Sequence, residues 1–590
     1  MTPTRVSEFH KPTYPALAVS VQNLQVGFAG SSGRTGLTEV VRGVSFEVRP
    51  GECLALVGES GSGKSVTARS LLGLAGARAQ VRADTLELNG SSVLGLSDAA
   101  WRRRRGRDIG LVLQDALVSL DPLRTVGREV ADSLRLHTTL SAAERADRVV
   151  ELLRRVGLPD AGLRAAQLPG TLSGGQRQRA LIASAIALDP PVLIADEPTT
   201  ALDVTVQAQI LDLLAELTAA GTGLLLISHD LAVVSRIADR VAVFHDGRIV
   251  ETGATAEVLG APSHPVTRRM VQAVPVDKPR GSRLSPARLP VTAPLPPRSD
   301  ALIDATDFVP HVAPEVVLEA IDLVAGFRGP DGQRRLAVDQ VSFTLLRGET
   351  LGLVGESGSG KTTTARLALA LRSPDFGQVR LFGQDWSTLT EKRRLPLRPR
   401  IGAIYQDALG SFDPRWSVGD ILSDALAVSR TVSRSVSRSE RMGHTPVPTP
   451  ARSPAPSPTP SPSELLDWVG LSATVLARRP LELSGGQRQR VGIARTLASR
   501  PEIVICDEPV SALDVGVQAH VLDLLDDLQR ELGLSLLFIS HDLGVIQHVS
   551  DRVAVMQGGE ILEIGPTAQV LTNPAHAYTQ SLLEAVPRLN

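Results

Sequence analysis

The chain has 590 residues, a formal net charge of −1 and two cysteines. Its length corresponds to three or four folding units at roughly 150 residues each. The near-neutral charge lacks the basic excess with which a general nucleic-acid binder displaces counterions, so no nucleic-acid partner is expected, and two cysteines supply neither a disulfide framework nor a Cys/His cluster for zinc or an iron–sulfur centre. Met1 to Ser20 shows no basic segment followed by an apolar core, so no signal peptide is read there. No apolar run approaches the ~20 residues of a membrane span, and any work at a membrane is expected from its cytoplasmic side.

Residues 1–16 read as a flexible start. From 17 to 28 apolar and polar side chains alternate, as in a half-buried strand ending at Phe28, and Val44 to Val48 reads as a second strand. The apolar run Leu54 to Val57 then delivers Gly58-Glu-Ser60-Gly61-Ser-Gly63-Lys64, and the same seven residues recur as Gly355-Glu-Ser357-Gly358-Ser-Gly360-Lys361 after Leu351 to Val354. Strand, glycine loop and helix in this order form a phosphate-binding P-loop. The glycines let backbone N–H groups face phosphate oxygens at a helix N-terminus that favours anions. Lys64 and Lys361 are placed to reach the β/γ-phosphates, and Ser65 and Thr362 carry the hydroxyl that such loops give to Mg²⁺. The chain has only five lysines, Lys11, Lys64, Lys278, Lys361 and Lys392, so its lysine is kept in both loops while arginine serves elsewhere. A compact ammonium is not interchangeable with a planar guanidinium. Phe28 has a counterpart in Phe327, before the second loop. Each reads either as a platform for a stacked base or as an edge-strand core residue.

Past the first loop a helix is expected from Ser65 to Leu74. The strand Ile109 to Leu113 ends in Gln114, and Ile401 to Tyr405 in Gln406, each at the start of a turn where a neutral amide suits a position that senses a γ-phosphate. Leu172-Ser173-Gly174-Gly175-Gln176 and Leu483-Ser484-Gly485-Gly486-Gln487 are further anion-receptive helix starts, with the serines as caps. At equal spacing behind them, two apolar runs end in Asp196-Glu197 and Asp507-Glu508. A continuous apolar run is a buried parallel strand, and its C-terminal edge is where ligands bind in open α/β sheets. Asp196 and Asp507 are assigned to Mg²⁺, together with Ser65, Thr362, Gln114 and Gln406. Glu197 and Glu508 are assigned to polarising the attacking water. Thr200-Ala-Leu-Asp203 and Ser511-Ala-Leu-Asp514 follow, and two later strands end in His229 and His541, read as γ-phosphate contacts.

In this order the motifs resemble the ATP-binding cassette of ABC transporters, twice over and across nearly the whole chain. The resemblance implies an α/β fold: two tandem P-loop NTPase domains, each with a RecA-like α/β core, an antiparallel β subdomain and a helical signature subdomain. It implies an ATP sandwich as well, in which Lys64, Ser65, Gln114, Asp196, Glu197 and His229 face Ser484 to Gln487, and Lys361, Thr362, Gln406, Asp507, Glu508 and His541 face Ser173 to Gln176. Both sets are complete, so both sites are expected to hydrolyse ATP with Mg²⁺.

The turns from Gln114 and Gln406 to Asp-Pro resemble those of dipeptide, oligopeptide and nickel importers, a class that also carries His-Pro-Tyr-Thr after the cassette. The chain has His264-Pro-Val-Thr267 and His576-Ala-Tyr-Thr579, each departing at one position. That class implies an ATPase subunit peripheral to the cytoplasmic face of the plasma membrane, two separate integral-membrane permeases and an exported substrate-binding protein. It also includes members with an iron–sulfur cluster, which is not expected with cysteines only at Cys53 and Cys506. Di- or oligopeptides are the expected cargo; the alternatives are import of nickel or glutathione-like substrates, and a soluble twin-cassette ATPase of ribosomes, which calls for a charged helical linker and a basic surface that this chain lacks. The expected layout is a first cassette over 17–275, a Pro/Arg-rich linker over 276–314 and a second cassette over 315–587. A Ser/Pro-rich insert near 429–463 interrupts the second, with disorder expected from Arg441 to Pro462.

Overall fold

Apolar patterning decides where each sheet sits. The computed structural model describes residues 17–29, 37–76, 78–114, 119–199, 202–276, 278–286, 315–328, 332–441, 460–511 and 513–586, with backbone alone at 431–441. They form two compact units whose boundary falls between Val271 and Gln272.

In the first unit the continuously apolar runs become the centre of a six-stranded sheet, in the order Arg248–Ala254, Arg240–His245, Cys53–Gly58, Gly223–Ile227, Val192–Asp196 and Gly110–Val112. All neighbours are parallel except the first pair. Every residue of Cys53–Gly58, Val192–Asp196 and Gly223–Ile227 is buried, because strands covered on both faces have no solvent side to alternate toward. Their C-terminal ends lie side by side, so the P-loop, Glu197 and His229 leave the sheet at one edge. The alternating segment behaves differently. Val19–Ala29 pairs antiparallel with Leu37–Val48, Ala79–Arg82 and Thr85–Leu88, burying one face against the P-loop helix. Leu37–Val48 begins earlier than the Val44 start that alternation alone indicated. The helix after the loop spans Lys64–Ser70, short of the expected Leu74, because the chain turns at Leu71 to Gly73, where Gly73 takes φ 63°.

The second unit repeats this plan, with Glu560–Pro566, Arg552–Gln557, Thr350–Val354, Ser535–Ile539, Ile503–Asp507 and Ile401–Ile404 in one sheet. Val316–Arg328 is flanked by Arg334–Leu346 and Phe376–Leu381 in the other. Each unit adds a helical layer that carries the Ser-Gly-Gly-Gln helix: Val126–His137, Ala142–Arg155 and Gly174–Ala185 in the first, and Val418–Arg441, Pro462–Trp468 and Gly485–Leu497 in the second. The low-complexity tract is partly helical at both margins. Val418–Arg441 runs well past Ser429, and Ser461 opens the next helix with a capping box to Glu464. Residues 442–459 lie outside the described residues.

Part of the expected linker is packed into the second unit. Leu284 is 1% exposed within its core, beside the helix Val515–Leu532. Asp523, buried on that helix, accepts the N–H groups of Leu284 at 3.1 Å and Ser285 at 2.8 Å, and the Ser285 hydroxyl. Arg283 grips Asp527 through both terminal nitrogens at 3.0–3.2 Å, while Arg280 reaches Gln529 at 3.1 Å and also pairs with Asp551. Among the described residues no helix is long and apolar enough to cross a membrane.

Candidate nucleotide-binding sites

Each glycine loop folds around its own lysine. Lys64 Nζ donates to the carbonyls of Gly58 at 2.7 Å and Glu59 at 2.8 Å and to Ser62 Oγ at 3.3 Å. Lys361 does the same with Gly355 and Glu356, both at 2.8 Å, and Ser359 at 3.4 Å. Glycine is required where each loop leaves its strand: at Gly58 (φ 148°) and Gly355 (φ 157°) a Cβ would stand 2.3 and 2.0 Å from the carbonyl oxygens of Phe244 and Met556. Both lysines are buried, and burial pulls the Lys361 ammonium below its usual pKa, against the pull of the Glu508 and Asp507 carboxylates.

The acids converge on these loops from the neighbouring strand. Ser65 Oγ donates to Asp196 Oδ1 at 3.1 Å, and Thr362 Oγ1 to Asp507 Oδ1 at the same distance. Burial pushes both aspartates above the usual carboxylate range, against the pull of those hydroxyls. Glu197 (φ 49°) and Glu508 (φ 50°) take the left-handed conformation that turns the chain off the strand. Gln114 Nε2 donates to Glu197 Oε2 at 2.6 Å, and Gln406 Nε2 to Glu508 Oε2 at 3.1 Å and Ser511 Oγ at 3.3 Å. His229 Nδ1 lies 3.2 Å from Glu197 Oε1 and His541 Nδ1 3.3 Å from Glu508 Oε1. Burial alone would lower both imidazoles; the glutamate contacts outweigh it, leaving His229 and His541 raised and Glu508 lowered. Loop, hydroxyl, aspartate, glutamate, glutamine and histidine are thus brought together twice, with matching contacts.

The Ser-Gly-Gly-Gln segments are helix starts, as their composition indicates. Ser173 Oγ accepts from Gln176 N at 3.3 Å and Gln176 Oε1 from Ser173 N at 3.2 Å, and Ser484 and Gln487 form the same capping box. Gly174 and Gly175, like Gly485 and Gly486, supply the first helical N–H groups. Phe28 packs half-buried against the antiparallel sheet's core. Phe327 is 48% exposed, with the Arg372 guanidinium 3.8 Å over its ring.

The histidine elements behind each core have an architecture that the sequence reading did not assign. Glu251 accepts the Ser263 and Thr267 hydroxyls and the backbone N–H groups of Ser263 and His264, and this donor set outweighs desolvation to hold its pKa down at about 2. Glu563 accepts from Ala575 and His576 at 2.9 and 3.2 Å. His264 Nδ1 and His576 Nδ1 cap the helices that follow. The available signal was a glutamate two residues before glycine in both copies, Glu251-Thr-Gly253 and Glu563-Ile-Gly565.

A parallel sheet with a glycine loop, a hydroxyl–aspartate pair and a glutamate at one edge defines a P-loop nucleotide-binding protein. Residues 41–200 and 338–511 match the ABC transporter family, and 562–590 match the C-terminal region of oligopeptide/dipeptide transporters. The chain is 41% identical to the oligopeptide transport ATP-binding protein OppD of Mycobacterium bovis, over 93% of this chain and 95% of the relative. It is also 41% identical to the glutathione import ATP-binding protein GsiA of Escherichia coli K12, over 96% and 89%. The archaeal ribosome recycling factor aABCE1, solved with the stalk protein aP1, superposes with a TM-score of 0.56 at 20% identity, over 92% of this chain and 90% of that one, and shares the fold. The chain belongs to the ABC transporter family and is an ATPase with two P-loop NTPase cassettes.

Proposed function

We propose that this chain is the ATP-hydrolysing subunit of a di- or oligopeptide importer, docked at the cytoplasmic face of the plasma membrane beneath two separate permeases. The observation that carries the reading is the twofold recurrence of one constellation: lysine in the loop, hydroxyl on aspartate at 3.1 Å, and glutamate between glutamine and histidine. Two complete sets support hydrolysis at both sites. The oligopeptide C-terminal region and the relatives that import oligopeptides or glutathione, itself a tripeptide, support peptides as cargo.

On this reading Lys64 and Lys361 exchange their loop carbonyls for β/γ-phosphate oxygens. Ser65, Thr362, Asp196, Asp507, Gln114 and Gln406 offer hard oxygens, a fit for Mg²⁺. Mg²⁺ bound with ATP supplies charge neutralisation on the phosphates. Glu197 and Glu508 orient the attacking water, and His229 and His541 hold those carboxylates until a γ-phosphate is there to accept from the imidazole. The signature residues Ser173 to Gln176 and Ser484 to Gln487 offer capped helix N-termini to a phosphate. Exposed apolar groups beyond the glutamine turns, Leu123 and Trp416, give the permeases something to hold.

The test is to tag the chain in its own cell, solubilise membranes in mild detergent and identify its companions by mass. Two multi-span proteins and an exported binding protein loaded with peptide are expected. A binding protein loaded with nickel would move the cargo but keep the machine, whereas ribosomal proteins without a membrane partner would overturn the importer.

A further inference from the structure

The two P-loops differ in a contact made from outside the loops themselves. Tyr578, buried near the start of the helix Ala577–Glu584, accepts the backbone N–H of Glu356 on its hydroxyl oxygen at 3.2 Å. The ring is aimed by the element described above: Glu563 takes the N–H groups of Ala575 and His576, and His576 Nδ1 takes that of Tyr578 at 3.1 Å. The peptide bond joining Gly355 to Glu356 is therefore held at both ends, its carbonyl by Lys361 Nζ at 2.8 Å and its N–H by Tyr578. In the first unit Lys64 holds the Gly58 carbonyl in the same way, but the place of Tyr578 in His264-Pro-Val-Thr267 is taken by Val266, a buried side chain with no oxygen.

We infer that Tyr578 is a positioning residue for the second nucleotide site, pinning the Gly355–Glu356 peptide through the exchange of Lys361 from carbonyl to phosphate, and that the first site lacks this device. The inference rests on the reading of both loops as nucleotide sites. Once the ammonium moves to a phosphate, the Gly355 carbonyl loses its partner, and the adjoining glycine leaves that peptide free to rotate. Tyr578 keeps the N–H paired in both states, so the second loop receives its ligand already ordered, and preordering is recovered as affinity. Burial pushes the tyrosine hydroxyl up to about 12, which keeps it neutral throughout the working pH range.

The experiment is calorimetric titration of the full chain with ADP in two parents, Lys64→Ala, which leaves the second site, and Lys361→Ala, which leaves the first. Adding Tyr578→Phe keeps the ring and removes the oxygen. Binding is expected to weaken about 2- to 10-fold in the Lys64→Ala parent, the size of one neutral hydrogen bond, and to stay unchanged in the Lys361→Ala parent. Equal affinity with and without the oxygen in the Lys64→Ala parent overturns the inference alone, as does an equal loss in both parents, which would mark a general structural role. Failure of both parents to bind ADP overturns the reading of the loops, and the inference with it.

Discussion

Glu197 and Glu508 are each constrained in both backbone and side chain. Each sits in the left-handed region, a conformation that costs a non-glycine residue of order 1–3 kcal/mol and persists where surrounding contacts enforce it. The backbone N–H of Glu197 donates to Ile227 at 2.9 Å and that of Glu508 to Ile539 at 3.0 Å, and the glutamine and histidine on either side hold each carboxylate. Replacing the carboxylate with an amide keeps the size and removes the charge that polarises water. Glu197→Gln and Glu508→Gln are each expected to reduce ATP turnover by about half or more, and the double variant by ~100-fold, the usual contribution of a general base. Steady-state phosphate release measures this, and a single variant that keeps wild-type turnover would show that its site does not hydrolyse.

At the scale of elements, the helices Val418–Arg441 and Pro462–Trp468 reach into the two margins of the low-complexity tract and are held by their own apolar residues outside it. Val418, Leu422 and Leu426 bury one face of the first, and Leu465, Leu466 and Trp468 anchor the second. Deleting residues 442–459 should therefore leave ATP hydrolysis and thermal unfolding near wild type, and loss of either by more than a few-fold would assign the tract a role. Local chemistry at fixed spacing made the P-loops, the acid pairs and the Ser-Gly-Gly-Gln starts readable from the chain, since neighbours in sequence form them. The halt of the helix at Ser70 was not readable, because it rests on Gly73 taking φ 63° beside the Trp101 ring, which a later helix supplies. Tyr578 and Glu356, 222 residues apart, meet only once the sheet is built. The strap on Asp523 was hidden for the same reason: Pro, Arg and Ser read as linker, and only the helix Val515–Leu532 shows what they bind.

For the molecule as a whole, that strap moves the effective start of the second cassette ahead of Glu315. Asp523 is 5% exposed, and its donors come from Leu284 and Ser285. A fragment beginning at 315 keeps the carboxylate and loses those partners, hydrogen bonds to a charged group worth about 1.5–3 kcal/mol each. A fragment beginning at 276 should unfold at a clearly higher urea concentration than one beginning at 315. Equal midpoints would mean that water serves Asp523 as well as the strap does.

The same contact sets a clock during synthesis. Leu284 precedes Asp523 by 239 residues, so at ~5–20 residues per second the strap leaves the ribosome roughly 10–50 s before its carboxylate exists. The later cassette closes around a piece of chain that was made before it, and the strap waits for the helix Val515–Leu532.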